Sequence, residues 1–341
     1  MKVMHAVGSY RGLPIEDDQS LVDLELPVPD PRPHDLLVAV EAVSVNPVDA
    51  KVRGGAIPLG EGTRVIGWDA AGTVVEAGPD AARFKAGDAV FYAGALTRPG
   101  TDAEFHLVDE RIVGRKPESL GFAAAAALPL TAITAWEALF DRLDIRRPVP
   151  GAAPAVLIVG GAGGVGSIAV QLARRLTGLA VIATASRPET RAWVEGLGAH
   201  HVIDHAKPLA EQVEALGLGA PGVVFCTTHT MQHLPEILKL IAPQGRLCVI
   251  DDPATLDVMP LKLKCISLHW ELMFTRPLFG TADVGQQGAL LDEVSRLVDA
   301  GELRTTLSEV LGPIDAATLK RAHALIEGGT AKGKVVLEGW R

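Results

Sequence analysis

This chain of 341 residues predicts an α/β fold. A doubly wound parallel sheet forms the middle, and a β-rich part is built from both chain ends. Three observations predict it. Short β segments set apart by turn signals fill residues 1 to about 125. Strand and helix patterns alternate from about 126 to 268. β character then returns at Lys334-Val335-Val336-Leu337.

In the first part, Leu36 to Val43, Ala70 to Glu76, Ala89 to Ala93, Glu104 to Val108 and Arg111 to Gly114 read as strands. Gly87-Asp88 and Ala77-Gly78-Pro79 mark turns, and the set predicts a partly closed barrel. Pro27 to Pro33 reads as a stiff extended loop. Ala123 to Ala127 and Thr131 to Leu143 read as helices broken by Pro129. Strands follow at Ala155–Val159, Leu179–Ala185, His201–Ile203, Val223–Cys226 and Leu247–Ile250, with helices near 167–177, 188–197, 207–216 and 231–241. A helix near 286–300 and the closing strand complete the chain.

Gly160-Gly161-Ala162-Gly163-Gly164-Val165-Gly166 stands between the apolar strand at 155–159 and the helix after it. That order binds a dinucleotide. Gly161 permits the tight turn, Gly163 lets backbone approach a pyrophosphate, and Gly166 lets helix and strand lie close. The N–H groups of Gly164, Val165 and Gly166 open the helix, where a pyrophosphate is favoured. An ordinary strand–helix turn is the alternative. NAD-binding sites place an acid about 20 residues after the last glycine. Here Ser186 and Arg187 stand there. An acid repels a 2′-phosphate, whereas a hydroxyl and a guanidinium hold it, so NADPH is expected over NADH. A solvated arginine at a helix start is the competing reading.

Hydrophobic residues make up 48% and charged residues 21%, which excludes a disordered chain. The net charge of −9 argues against nonspecific nucleic-acid or anionic-membrane binding. No apolar run is expected to reach the length of a membrane span, and Met1 to His5 lacks the apolar segment of a secretion signal, so a cytoplasmic protein is expected. Cys226, Cys248 and Cys265 each lie in apolar stretches and read as buried free thiols.

Several motifs, in order, resemble the medium-chain dehydrogenase/reductases. They are Ser44-Val45-Asn46-Pro47-Val48-Asp49, Gly67-Trp68-Asp69-Ala70-Ala71-Gly72, Phe84-Lys85-Ala86-Gly87-Asp88, the glycine turn with Gln171-Leu172-Ala173, and Gly333-Lys334-Val335-Val336-Leu337. The resemblance implies a GroES-like catalytic domain at 1–125, a Rossmann domain at 126–268, and a segment at 269–341 completing the first, with a cleft where they meet. It also implies a homodimer. Zinc-dependent members place a cysteine where Asn46 stands and a histidine where Trp68 stands. Leu128-Pro129-Leu130 offers no third ligand, and Tyr92 to Phe105 has no cysteine. Zinc needs three or four converging N, S or O ligands, so no metal site is expected. The pattern is similar to the zinc-independent quinone oxidoreductase branch and to a bacterial subgroup named zinc-type alcohol dehydrogenase-like. His200-His201-x-x-x-His205 and the pair His229, His233 read as polar residues rather than ligands.

Without a Lewis acid, oxidising an alcohol lacks a group to hold the alkoxide. Hydride addition to a quinone or enone needs only donors at the developing oxyanion. Asn46 and Tyr92 are the candidate donors, with a turn residue and a core aromatic as their plainer roles. Lys51 is a candidate for the nicotinamide ribose or the substrate carbonyl. Thr131 and Thr134 resemble family positions near the nicotinamide. Thr227 and Thr228, past the 223–226 strand, line the nicotinamide side. Lys332 reaches the cofactor on the family pattern. Trp68, Trp270, Phe274 and Phe279 are candidates for an apolar substrate pocket. The expected activity is NADPH-dependent reduction of a small quinone or enone substrate. An alcohol or enoyl-thioester oxidoreductase and a non-catalytic NADPH-binding protein are the alternatives.

Overall fold

A computed structural model of the chain describes residues 2–10, 12–57 and 64–341. Contacts divide it into two units: Met1–Ile133 with Phe274–Arg341, and Thr134–Met273. Both chain ends therefore fold into one unit.

The first unit begins with β1 (Val3–Ser9) and β2 (Val22–Pro27), an antiparallel pair beyond the strands expected from the sequence. Then come β3 (Asp35–Ser44), α1 (Pro47–Arg53), β4 (Arg64–Val65), β5 (Ala70–Ala77), β6 (Ala89–Tyr92), β7 (Phe105–Asp109) and β8 (Gly114–Arg115). The strand expected at Arg111 to Gly114 is instead a 3₁₀ turn, Glu110–Ile112, followed by the two residues of β8. Asp109 starts that turn by accepting from the Arg111 N–H, a local bond that competes with strand pairing. Short α2 (Phe122–Ala126) and α3 (Pro129–Trp136) follow. Pro129 separates them, since proline cannot donate to a continuing helix.

The second unit carries β9 (Ala153–Val159), α4 (Gly164–Leu176), β10 (Ala180–Thr184), α5 (Pro188–Gly196), β11 (His201–Ile203), α6 (Leu209–Ala215), β12 (Pro221–Cys226), α7 (Thr230–Leu240), β13 (Arg246–Val249) and β14 (Ser267–Trp270). Its six strands are all parallel in the order β11-β10-β9-β12-β13-β14. Val156 to Val159 and Val223 to Cys226 are buried on both faces, which is why they read as unbroken apolar runs. This is the doubly wound sheet the sequence predicts.

The chain returns to the first unit through α8 (Thr275–Phe279), α9 (Gln286–Asp299), β15 (Leu307–Val310), α10 (Ala316–Glu327) and β16 (Lys334–Glu338). β16 pairs antiparallel with β3 in a sheet of order β15-β16-β3-β5-β6-β8, with β7 also on β3. Two expectations are corrected. The helical stretch Phe122–Arg142 is long and apolar enough to span a membrane, yet most of it is buried inside the protein, as a core helix is. Cys226 and Cys248 are buried free thiols, but Cys265 is exposed. It sits at φ 50°, capping a 3₁₀ turn, where its side chain faces outward.

Candidate functional site

Asn46 follows β3 and caps α1. The residue before a proline avoids the helical region, so Asn46 is extended and Pro47 opens the helix. The Asn46 N–H donates to Asp49 Oδ2. Its side chain turns the other way. Nδ2 donates to Asp69 Oδ2 at 2.8 Å and to the Ser44 and Trp68 carbonyls at 3.3 Å each. Oδ1 accepts from Lys334 Nζ at 2.5 Å.

Lys334, the first residue of β16, is buried with that ammonium. Nζ also donates to the Val45 carbonyl at 2.7 Å and lies 3.3 Å from Asp69 Oδ2. Asp69 Oδ1 accepts the Leu130 N–H at 2.8 Å. One ammonium thus ties β3, the start of β5, the start of α3 and β16 together. Asp49 is buried near it, and Asp102 is buried near Asp49. Burial pushes the Asp49 carboxyl up to about 7 and the Asp69 carboxyl up to about 6, with Lys334 opposing the rise in both. Burial and the Asp49 charge hold Asp102 well above the usual carboxylate range. Burial in turn lowers Lys334, against the pull of Asp69 and Asp49.

This geometry corrects two expected roles. Both Asn46 amide hydrogens are committed, so serving as a donor to substrate requires breaking the bond to Asp69. Tyr92 is fully buried, with its hydroxyl 3.2 Å from His106 Nδ1 and its ring stacked on that imidazole at 5.4 Å. His106 Nε2 meets the Pro99 carbonyl at 3.0 Å and must carry the proton there. Nδ1 therefore accepts from the Tyr92 hydroxyl. Burial raises the Tyr92 hydroxyl above its usual range and lowers His106 to about 4, so this pair is a sealed core contact rather than a proton donor.

Lys51 lies half-buried on α1, and Lys332 half-buried two residues before Lys334. Thr131 is buried, its hydroxyl donating to the Leu128 carbonyl at 3.1 Å. Trp68 and Phe274 meet edge-on at 6.3 Å in the core, whereas Trp270 and Phe279 are exposed. Sequence reading assigned no role to Asp69 or Lys334. The signal was present: a lysine opening an otherwise apolar strand, and an acid opening another.

In the second unit the glycine turn separates three demands. A Cβ on Gly161 would stand 2.9 Å from the Ala183 Cβ, and one on Gly166 would meet the Gly160 carbonyl and lie 2.8 Å from the Gly161 Cα. The fold itself requires both glycines. A Cβ on Gly163 would meet only the Gly160 oxygen, at an ordinary 3.6 Å. The protein's own packing leaves that space open, ahead of the N–H groups of Gly164, Val165 and Gly166. A dinucleotide pyrophosphate fits this cradle.

Around it the sheet gathers three further segments. Gly160 N donates to the Thr184 hydroxyl at 2.9 Å, and the Thr227 hydroxyl to the Val159 carbonyl at 2.8 Å. Thr228 Oγ1 is 2.7 Å from His229 Nδ1. Ser186 and Arg187 follow β10, and Arg187 Nε lies 3.1 Å from Glu189 Oε1. Arg191, which sequence reading passed over, donates to the Ala185 and Val202 carbonyls at 3.3 and 2.8 Å.

The zinc that many proteins of this fold carry does not fit the residues present. Among the described residues no group of three or more His, Cys, Asp or Glu side chains can hold a metal. Asn46 Oδ1 already faces an ammonium, and Trp68 offers only a donor N–H.

Comparison with known proteins agrees with the fold. The alcohol dehydrogenase GroES-like domain family matches residues 32–129, and the zinc-binding dehydrogenase family matches residues 197–337. A zinc-type alcohol dehydrogenase-like protein of Staphylococcus aureus is 38% identical, over 98% of this chain and 99% of its own. A chloroplastic quinone-oxidoreductase homologue of Spinacia oleracea is 30% identical, over 99% of each chain. A solved structure from Rhizobium etli CFN 42, assigned by name to the zinc-dependent alcohol dehydrogenases, is 66% identical with a TM-score of 0.98, covering 100% of this chain and 99% of its own. This chain belongs to the medium-chain dehydrogenase/reductases, the oxidoreductase family of the alcohol dehydrogenases and quinone oxidoreductases.

Proposed function

We propose that the protein is an NADPH-dependent, zinc-independent reductase of quinones or α,β-unsaturated carbonyls. The observation that carries this is the Lys334 ammonium seated on Asn46 and Asp69. It puts a fixed cation and a spent amide where a Lewis acid would need open ligands.

The bound nicotinamide supplies a hydride to the substrate. The chain's residues do the rest. The N–H groups of Gly164, Val165 and Gly166 hold the pyrophosphate, with Gly163 leaving room for it. Ser186 and Arg187 hold the 2′-phosphate, and Thr227 and Thr228 line the same end of the sheet. Thr131, Lys51 and Lys332 take the nicotinamide side on the family pattern, and Lys51 polarises the substrate carbonyl. Asn46 is a positioning residue, fixed by Lys334 and Asp69. The protein acts as a homodimer. The outer edge of β14 has no partner strand among the described residues, and Trp270 and Leu272 are exposed beside it.

The test is NADPH oxidation over a panel of quinones, enones, enoyl thioesters and aldehydes, with metal content measured on the same sample. Turnover of quinones or enones with less than about a tenth of a zinc per chain is the expected result. Turnover restricted to aldehydes, or activity lost with about one zinc per chain on chelation, overturns it. Tight NADPH binding with no turnover identifies a binding protein instead.

A further inference from the structure

The ends of β10 and β11 lie side by side. Thr184 pairs with Ile203, and the Ala185 N–H donates to the Ile203 carbonyl at 2.9 Å. Ser186-Arg187 and Asp204-His205 therefore leave the sheet together. Arg191 locks the two segments by donating to carbonyls on both. His205 is half-buried, and its ring meets that of His233 on α7 edge-on at 6.3 Å. In a chain with a net charge of −9, this corner collects Arg187, Arg191, His205, His229 and His233.

We infer that His205 completes the seat of the cofactor 2′-phosphate beside Arg187, and takes up a proton from solvent when that phosphate binds. The inference rests on the NADPH reading above and adds a pH-dependent selectivity to it. The charged and titratable groups facing His205 decide the sign. Arg187 at the start of α5 and His229 before α7 oppose its protonation, His233 on α7 shares its corner, and only Asp204 on its own loop favours the charge. Asp251, after β13, is engaged by Thr230 through its hydroxyl and, at 2.8 Å, its N–H, and it favours the charge on His233. Burial is the largest influence, and the free imidazole titrates below its usual range. A phosphate dianion reverses the balance. It brings two negative charges against the imidazole, beside Arg191 and beside Arg187 with its partner Glu189, so the imidazolium becomes the favoured form and donates to a phosphate oxygen. Charge balances in the step: neutral His205, the dianion and one proton from the buffer give imidazolium bound to the dianion. NADH has no such group. The preference for NADPH over NADH therefore grows as pH falls.

Two fragments test this without turnover. Binding of 2′,5′-ADP and of 5′-AMP is measured by calorimetry at pH 7.0, in buffers of different ionisation enthalpy, on wild type and His205→Asn. The variant comparison separates the histidine from the phosphate's own ionisation. The wild type is expected to take up a fraction of a proton with 2′,5′-ADP and none with 5′-AMP. His205→Asn is expected to lose that uptake and to bind 2′,5′-ADP about tenfold more weakly at pH 6, with 5′-AMP unchanged. Preference for 2′,5′-ADP with equal uptake in both proteins overturns the role of His205 and leaves the NADPH reading standing. No preference for 2′,5′-ADP in the wild type overturns both. An NMR titration of the wild-type imidazoles, with and without 2′,5′-ADP, reads the same shift without any variant; a His205 signal that does not move upward in pKa overturns the inference.

Discussion

The Lys334 ammonium lies 3.3 Å from Asp69 Oδ2, and both side chains are almost wholly removed from water. A buried ion pair of this kind adds little net stability, but breaking it from one side leaves an uncompensated charge. Lys334→Met is therefore expected to cost about 3–5 kcal/mol in denaturant unfolding. Lys334→Met with Asp69→Asn is expected to recover part of that loss. If the double variant is less stable than the single one, the pair is not the source of the effect.

The glycine turn separates folding from binding. Gly166→Ala drives a methyl into the Gly160 carbonyl and is expected to cost about 1–3 kcal/mol in thermal or denaturant unfolding. Gly163→Ala meets no protein atom closer than 3.6 Å, so its melting temperature should stay near wild type while NADPH affinity falls. Equal losses of stability in the two variants would sink this division.

Arg187→Ala removes the guanidinium proposed for the 2′-phosphate. NADPH binding should weaken about ten- to a hundredfold, as loss of a charge-assisted bond requires, with NADH changed little. Fluorescence titration with each cofactor measures both, and equal effects refute the assignment.

Tyr92→Phe deletes a hydroxyl that His106 accepts in the core. We expect about 1 kcal/mol of lost stability, as for one buried hydrogen bond, and turnover within about twofold of wild type. A large fall in kcat with the fold intact would restore Tyr92 as a proton donor.

Glu271, next to the exposed Trp270, shares its burial with Glu137 and with Arg142, whose Nε is 2.8 Å from Glu271 Oε2. Two buried carboxyls so close disfavour each other's charge, which favours a proton on Glu271. Burial, and then Glu137, push Glu271 up to about 8. A carboxyl raised in the folded state binds protons that the unfolded chain has released. Its contribution is fully present below the unfolded value, and stability falls as pH rises from about 4.5 through about 8. Asp49 and Asp69 act in the same direction up to about 7 and 6. Melting of wild type and Glu271→Gln across pH 5 to 9 isolates the glutamate. The variant should show a smaller loss between pH 5 and 8, and parallel profiles would exclude the effect.

The parallel sheet was legible because its causes are local. Strands buried on both faces read as apolar runs, and helices carry their own period and caps. What sequence reading missed depends on distant partners. β1 alternates too weakly to announce itself and is held by β2 and β4. α10 was passed over, although Asp315 caps it by accepting the Thr318 N–H. The apparent strand at Arg111 to Gly114 gave way to the bond between Asp109 and the Arg111 N–H.

The same division runs through the site. Sequence alone determined the glycine cradle, since Gly161 and Gly166 are demanded by neighbours within one strand–turn–helix unit, and it placed Ser186 and Arg187 by counting along that unit. It also showed that positions 46 and 68 lack zinc-ligating side chains. Only the tertiary structure decided what the Asn46 amide does, because its partners lie 23 and 288 residues away in Asp69 and Lys334. It likewise decided that Tyr92 belongs to the core and that the Ser186-Arg187 and Asp204-His205 segments leave the sheet side by side. A hydrogen bond or charge acts over a few ångströms, and only folding brings such residues that near.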